Sequence, residues 1–153
     1  MSSSNNSKII SKASPHTIMK FKLVEEYIKA WAQKLMLNSS CYGLVFIDCM
    51  CNSGVYTHNG EVVEGTPVRV AKALLDVART YPQKQIQIYL NDNSQEKVDE
   101  LKKHLPADEG NFRIIATAKD RDELLETIGP QLYGRQHLHY FLFYDPYDAS
   151  INW

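Results

Sequence analysis

Glycine is scarce in this chain, with seven residues in 153. None is set in a G-x-G-x-x-G or G-x-x-x-x-G-K-[ST] run, the loops that cradle the phosphates of dinucleotides and nucleoside triphosphates. An excess of one charge is lacking too: 17 Lys and Arg against 18 Asp and Glu leave a formal net charge of -1. That balance gives no global attraction to nucleic acid or to an anionic membrane surface. No apolar run approaches the roughly 20 residues that span a bilayer. The opening stretch, MSSSNNSKIISKASPHT, has no apolar centre of the signal-peptide kind. We therefore expect a cytoplasmic protein. Cysteine is confined to Cys41, Cys49 and Cys51. An odd count without a secretory signal argues against a disulfide framework. The C-x7-C-x-C spacing is not the paired C-x2-C of zinc sites, so we expect no metal and read the thiols as small residues lining a loop.

What is present is a regular alternation. Residues 1–15 read as a disordered tail, and residues 16–153 as one domain. From Met19 to Leu37 the apolar residues Phe21, Val24, Ile28, Trp31 and Leu35 mark one face of an amphipathic helix, with Thr17 as its cap. Leu44 to Ile47 is continuously apolar, which suits a strand covered on both faces of a parallel sheet. Thr66-Pro67 has the form of a hydroxyl cap followed by proline in the first helical turn. Ile86–Leu90 reads as a second strand, followed by a helix from Ser94. Phe112–Ala116 reads as a third strand. Asp120 and Glu123 have capping-box spacing before a helix that fades at Gly129-Pro130. Leu138–Tyr144 reads as a fourth strand. Strands alternating with helices predict an α/β, doubly wound, mostly parallel Rossmann-like sheet. Ligands of such a sheet sit at the carboxyl ends of its strands.

Three of those strands end on an acid: Asp48, Asp92 and Asp145. A lone acid there is a turn former or helix cap. Three along one sheet edge, beside the small-residue loop Asn52-Ser53-Gly54, point to a ligand crevice. The loop lets backbone amides approach a ligand, because no bulky side chain intervenes. An acid after the second strand can accept hydrogen bonds from ribose hydroxyls, the role open to Asp92. Asp48 would repel a pyrophosphate and suits a positive amine or sulfonium. The residues thus point away from NAD and ATP and towards S-adenosylmethionine. Asp120 is explained by its cap position, and it is also within reach of an adenine amine at the third strand's end. His137 and His139 alternate as two residues on one strand face do. No Ser-His-Asp constellation is readable.

Five segments taken in order resemble one family: KFKLVEEYIKAW, VFIDCMCNSGVY, EGTPVRVAKALL, LNDNS and FLFYDPYD, spanning about Lys20 to Asp148. They are similar to the three-Cys-motif partner proteins (TcmP family), within the Rossmann-like S-adenosylmethionine-dependent methyltransferases. The family loop carries glycine where this chain has Asn52, a residue that tolerates positive φ. Asp145-Pro146-Tyr147 is similar to the D-P-P-Y motif of amino-group methyltransferases, with one proline missing. The resemblance implies a methyltransferase-like fold and S-adenosylmethionine as cofactor. It places the methionine amine on Asp48, the loop Asn52, Ser53 and Gly54 against the cofactor, and the acceptor amine on Asp145 and the Pro146 carbonyl, beside Tyr147. It also implies a protein partner with a three-cysteine motif. A complete sheet of this kind has further strands, so we expect the chain to be the N-terminal part of a longer fold, inactive by itself and open to homodimer pairing along a free sheet edge. The alternative is a non-catalytic Rossmann-like module that binds a nucleotide or a protein.

Overall fold

The computed structural model describes residues 9–132 and 137–144. Its centre is a sheet of β2 (Gly43–Asp48), β5 (Gln85–Asn91), β6 (Phe112–Thr117) and β7 (Leu138–Phe143). Every pairing in the sheet is parallel, and the order across it is β6-β5-β2-β7. The helices are α1 (Pro15–Met36), α2 (Thr66–Thr80), α3 (Gln95–Lys102) and α4 (Arg121–Leu132). The architecture is α/β and compatible with a Rossmann-like fold.

The apolar run of β2 explains the layering. All six of its residues are buried. Leu44 and Phe46 point to one face, where they pack with Ile28 and Ala32 of α1 and Val70 and Leu74 of α2. Val45 and Ile47 point to the other face, where Leu124 and Ile128 of α4 cover them together with Tyr89. Each such side chain taken from water contributes about 1.5–3 kcal/mol, so a strand with two apolar faces is stable only between two helical layers. The α1 stripe does its expected work. Phe21 and Ile28 are buried, and Trp31 meets Phe141 of β7 edge-on at 5.4 Å between ring centroids. Arg69 of α2 reaches Glu25 of α1 at 3.0 Å. Partial burial raises the Glu25 carboxyl, but hydrogen bonds from Lys29 and Arg69, with their charges, outweigh it and hold the group below its ordinary value of 4.5.

Several boundaries differ from the sequence reading. The tail expected up to Pro15 ends earlier: β1 (Ser11–Lys12) pairs in parallel with β3 (Val55–His58), and Ala13 is buried. Ser14, not Thr17, caps α1, its hydroxyl accepting the Thr17 N–H at 3.1 Å. The segment between the first strand and α2 is a hairpin of β3 and β4 (Glu61–Glu64), turned at Asn59-Gly60 with φ of 51° and 76°. Positive φ at both turn residues is what a two-residue hairpin requires. Thr66 does not cap α2. The cap position is Gly65, and the Thr66 hydroxyl is buried without a hydrogen bond. The helix α4 runs through Gly129-Pro130 to Leu132. Proline lacks the N–H and crowds the carbonyl four residues back, and the helix ends two residues beyond it.

Candidate functional site

The register sets the carboxyl edge of the sheet level. Asp48 lies beside Leu90 on one side and Phe143 on the other, and Asn91 lies beside Thr117. The chain steps from β2 outward to β5 and β6, then returns across the sheet to β7 on the far side of β2. That reversal is a topological switch point, where open parallel sheets bind ligands. A cleft of about 320 Å³ opens along this edge, within the size range of small-molecule sites. Loops following all four strands line it. Cys49 and Met50 follow β2, Asp92 and Asn93 follow β5, Lys119, Asp120 and Arg121 follow β6, and Tyr144 follows β7.

One half of the site is knitted together by hydrogen bonds. Asp92 is 1% exposed. Its Oδ2 accepts the Asn52 N–H and its Oδ1 accepts the Ser94 N–H, both at 3.0 Å. The acid therefore joins the loop after β2 to the start of α3. Asn52 has φ of 58°, the left-handed turn that an Asn in this place can supply. Its side chain accepts the Ser53 N–H at 2.8 Å and donates to the Tyr56 hydroxyl at 3.2 Å. Ser53 donates its hydroxyl to Val55 O at 3.0 Å. Gly54 has φ of 78°, and a Cβ there would stand 2.4 Å from Leu101 Cδ1. Only glycine fits, because both conformation and space exclude a side chain. Asp48 is 2% exposed, and its Oδ1 accepts the Met50 N–H at 3.1 Å. Asp48 and Asp92 both close Asx-type turns with an amide two residues on.

Asn91 completes this half. Its amide donates to Cys49 O at 3.2 Å and Lys119 O at 2.8 Å, and its oxygen accepts the Thr117 hydroxyl at 2.7 Å and the Lys119 N–H at 3.0 Å. One buried side chain thus pins the loops after β2 and β6 to β5.

The other half is open. Asp120 sits at the cap of α4, with Oδ2 accepting the Asp122 N–H at 3.1 Å. Arg121 donates to the Tyr144 hydroxyl at 2.8 Å, and its guanidinium carbon stands 5.4 Å from that ring's centroid. Lys119 is half-buried.

Two of the thiols are disfavoured as thiolates in this setting. Burial pushes Cys49 above its ordinary value of 9.0, and the Asp48 charge adds to this against a smaller opposing effect of Arg121. Burial with the charges of Asp48 and Asp92 holds Cys51 well above 9.0. All three cysteines are free and buried. Cys51 packs in the core with α2 rather than lining the cleft. Among the described residues no group of three His, Cys, Asp or Glu could hold a metal ion, and no helix is long and apolar enough to cross a membrane. His137 precedes β7 with φ of 72°, so it shares no strand face with His139.

The structure brings Asp48, Asn52, Ser53, Gly54, Asp92 and Asp120 to one edge of the sheet. Of these, Asp92 and Asp120 line the cleft. Asp92 is not the solvent-facing acid that a strand end suggests, since both of its oxygens hold backbone amides. Asp145, Pro146 and Tyr147 lie outside the described residues. Sequence reasoning missed Asn91, Lys119, Arg121 and Tyr144. An amide residue ending an apolar strand was the available signal for Asn91; nothing local marks the other three. No family model, curated protein or solved structure matches the chain.

Proposed function

We propose that this chain binds S-adenosylmethionine at the carboxyl edge of its sheet and is a methyltransferase-like protein of the three-Cys-motif partner kind. The observation that carries the reading is the cleft itself, formed by the loops after all four parallel strands, beside the switch point. Its lining suits a nucleoside. Asp120 and Asn93 offer polar partners for a purine amine, and Met50 and Tyr144 offer apolar surface. In this reading Asp48 and the loop Asn52-Ser53-Gly54 set the shape that meets the methionine end. Asp145, the Pro146 carbonyl and Tyr147 hold the acceptor amine with its lone pair aimed, a positioning effect of large catalytic weight. The cofactor, when bound, supplies an electrophilic sulfonium methyl. Two partners belong to the same proposal: a protein with a three-cysteine motif, and a second copy joined along β7, whose Tyr140 and Leu142 are 40% and 56% exposed.

One observation favours a second reading, a non-catalytic protein-interaction module. Both Asp92 oxygens are engaged by loop amides, which weakens the ribose-diol role. Calorimetry and thermal unfolding with S-adenosylhomocysteine separate the two. A ligand bound only to the folded state raises the melting temperature by mass action. We expect such a rise, reduced in Asp120→Asn. No shift at millimolar ligand, with the protein folded, removes the cofactor reading.

A further inference from the structure

Lys119 is the cleft group that the reading above leaves without a task. Its backbone is held on both sides by the Asn91 side chain, at 3.0 Å through its N–H and 2.8 Å through its carbonyl. The root of the side chain is therefore fixed at the cleft. Its ammonium makes no hydrogen bond or ion pair among the described residues. The acids nearby are otherwise engaged: Asp92 by two loop amides, and one Asp120 oxygen by the Asp122 N–H. Arg121, paired with Asp122 at 3.3 Å and bonded to the Tyr144 hydroxyl, adds positive charge to the same wall, and its charge is felt at Cys49. The one anion of S-adenosylmethionine is its carboxylate, which the reading above puts with the methionine end at the Asp48 loop; its purine and ribose are neutral and give Lys119 nothing to bind. A phosphate ester does, because an ammonium recognises phosphate as a point charge through up to three donors.

We propose that Lys119, with Arg121 beside it, recognises a phosphate ester on the ribose of a nucleoside ligand. Both oxygens of the acid that would accept a free ribose diol already hold loop amides, and the wall beside it carries a cation with no partner among the described residues. No bond is made or broken; the site binds. The inference shares the nucleoside part of the cofactor reading and is independent of the sulfonium.

The test measures affinities of the whole chain by calorimetry for adenosine, 2′-AMP, 3′-AMP, inorganic phosphate and S-adenosylhomocysteine. We expect one of the nucleoside monophosphates to bind tighter than adenosine by roughly 10- to 100-fold, the scale of a charge-assisted contact. Lys119→Met should bring that nucleotide back to the level of adenosine, and Lys119→Arg should keep most of the gain. Lys34→Met, on the surface of α1, should change nothing. A Lys119-dependent effect of equal size with inorganic phosphate alone also supports the site and assigns it to free phosphate. Nucleotides no tighter than adenosine, or a gain that survives Lys119→Met in the folded variant, overturn the inference while leaving the cofactor reading intact. Failure of S-adenosylhomocysteine to bind, with the nucleotide gain present, overturns the cofactor reading and leaves Lys119 its role.

Discussion

The two halves of the cleft are built from similar residues and treat them differently. After β2 and β5, the polar groups Asp48, Asn52, Ser53, Asn91 and Asp92 are buried and hydrogen-bonded to backbone or to one another. After β6, Lys119, Asp120 and Arg121 line the cleft and are half-buried or exposed. A carboxylate in the first half holds the fold, and one in the second half is available to a ligand. Strand-end acids are thus not equivalent, even along one level edge. Asp48 and Asp120 each hold one amide two residues on, so burial separates those two, and Asp92 in addition holds an amide of a neighbouring loop.

The sharpest test of this contrast is Asp92→Ala. It strands the buried Asn52 N–H and the half-buried Ser94 N–H, so it should destabilise the protein by about 3 kcal/mol in urea unfolding. A change below 1 kcal/mol would return Asp92 to the open half. Gly54→Ala comes next, at about 2–3 kcal/mol, from a strained positive φ and overlap with Leu101. Native-like stability in that variant would mean the loop can shift away from α3. Asp120→Ala should cost about 1 kcal/mol, the value of a helix cap. A loss as large as that of Asp92→Ala would erase the difference between the halves.

Glu25→Gln gives a reference outside both halves. The folded carboxyl titrates below its ordinary 4.5, so its ionised form is the stabilising one. The contribution is complete above 4.5 and disappears as pH falls through the lower folded value. We expect a cost at neutral pH of at most about 1 kcal/mol after solvent screening, vanishing once the pH falls below the lowered folded value. A cost that persists unchanged in acid would show that packing, not charge, is what the substitution removes. The smallest effect should be that of Lys119→Met, within about 0.5 kcal/mol of the parent, because its ammonium holds no partner among the described residues. A larger loss would place Lys119 with the knitted half.

Much of the architecture was legible in the residues. Leu44 to Ile47, apolar without alternation, signalled a strand between two layers, because only a parallel sheet covered on both faces buries such a run. The 3-4 spacing of Phe21, Val24, Ile28, Trp31 and Leu35 gave α1 its buried face. Asn52 and Gly54 marked a turn with positive φ, since few other residues adopt it. Asp120 announced the start of α4. These are local signals, carried by periodicity, φ preference and short-range hydrogen bonding.

The hairpin of β3 and β4 carried a local signal in Asn59-Gly60 that sequence reasoning missed, whereas the pairing of β1 was not legible, because Ser11–Lys12 becomes a strand only against Tyr56 and Thr57, more than forty positions along the chain. The same holds for the site. Asp92 meets the Asn52 N–H across 40 residues, and Asn91 meets Lys119 across 28. The sequence by itself determined where strands end and which residue types gather at their ends. The tertiary structure alone decided which of those groups are consumed and which remain for a ligand. A side chain at a strand end bonds whatever donors the next strand's loop brings to it, and that is fixed by strand order and register, which no local pattern encodes.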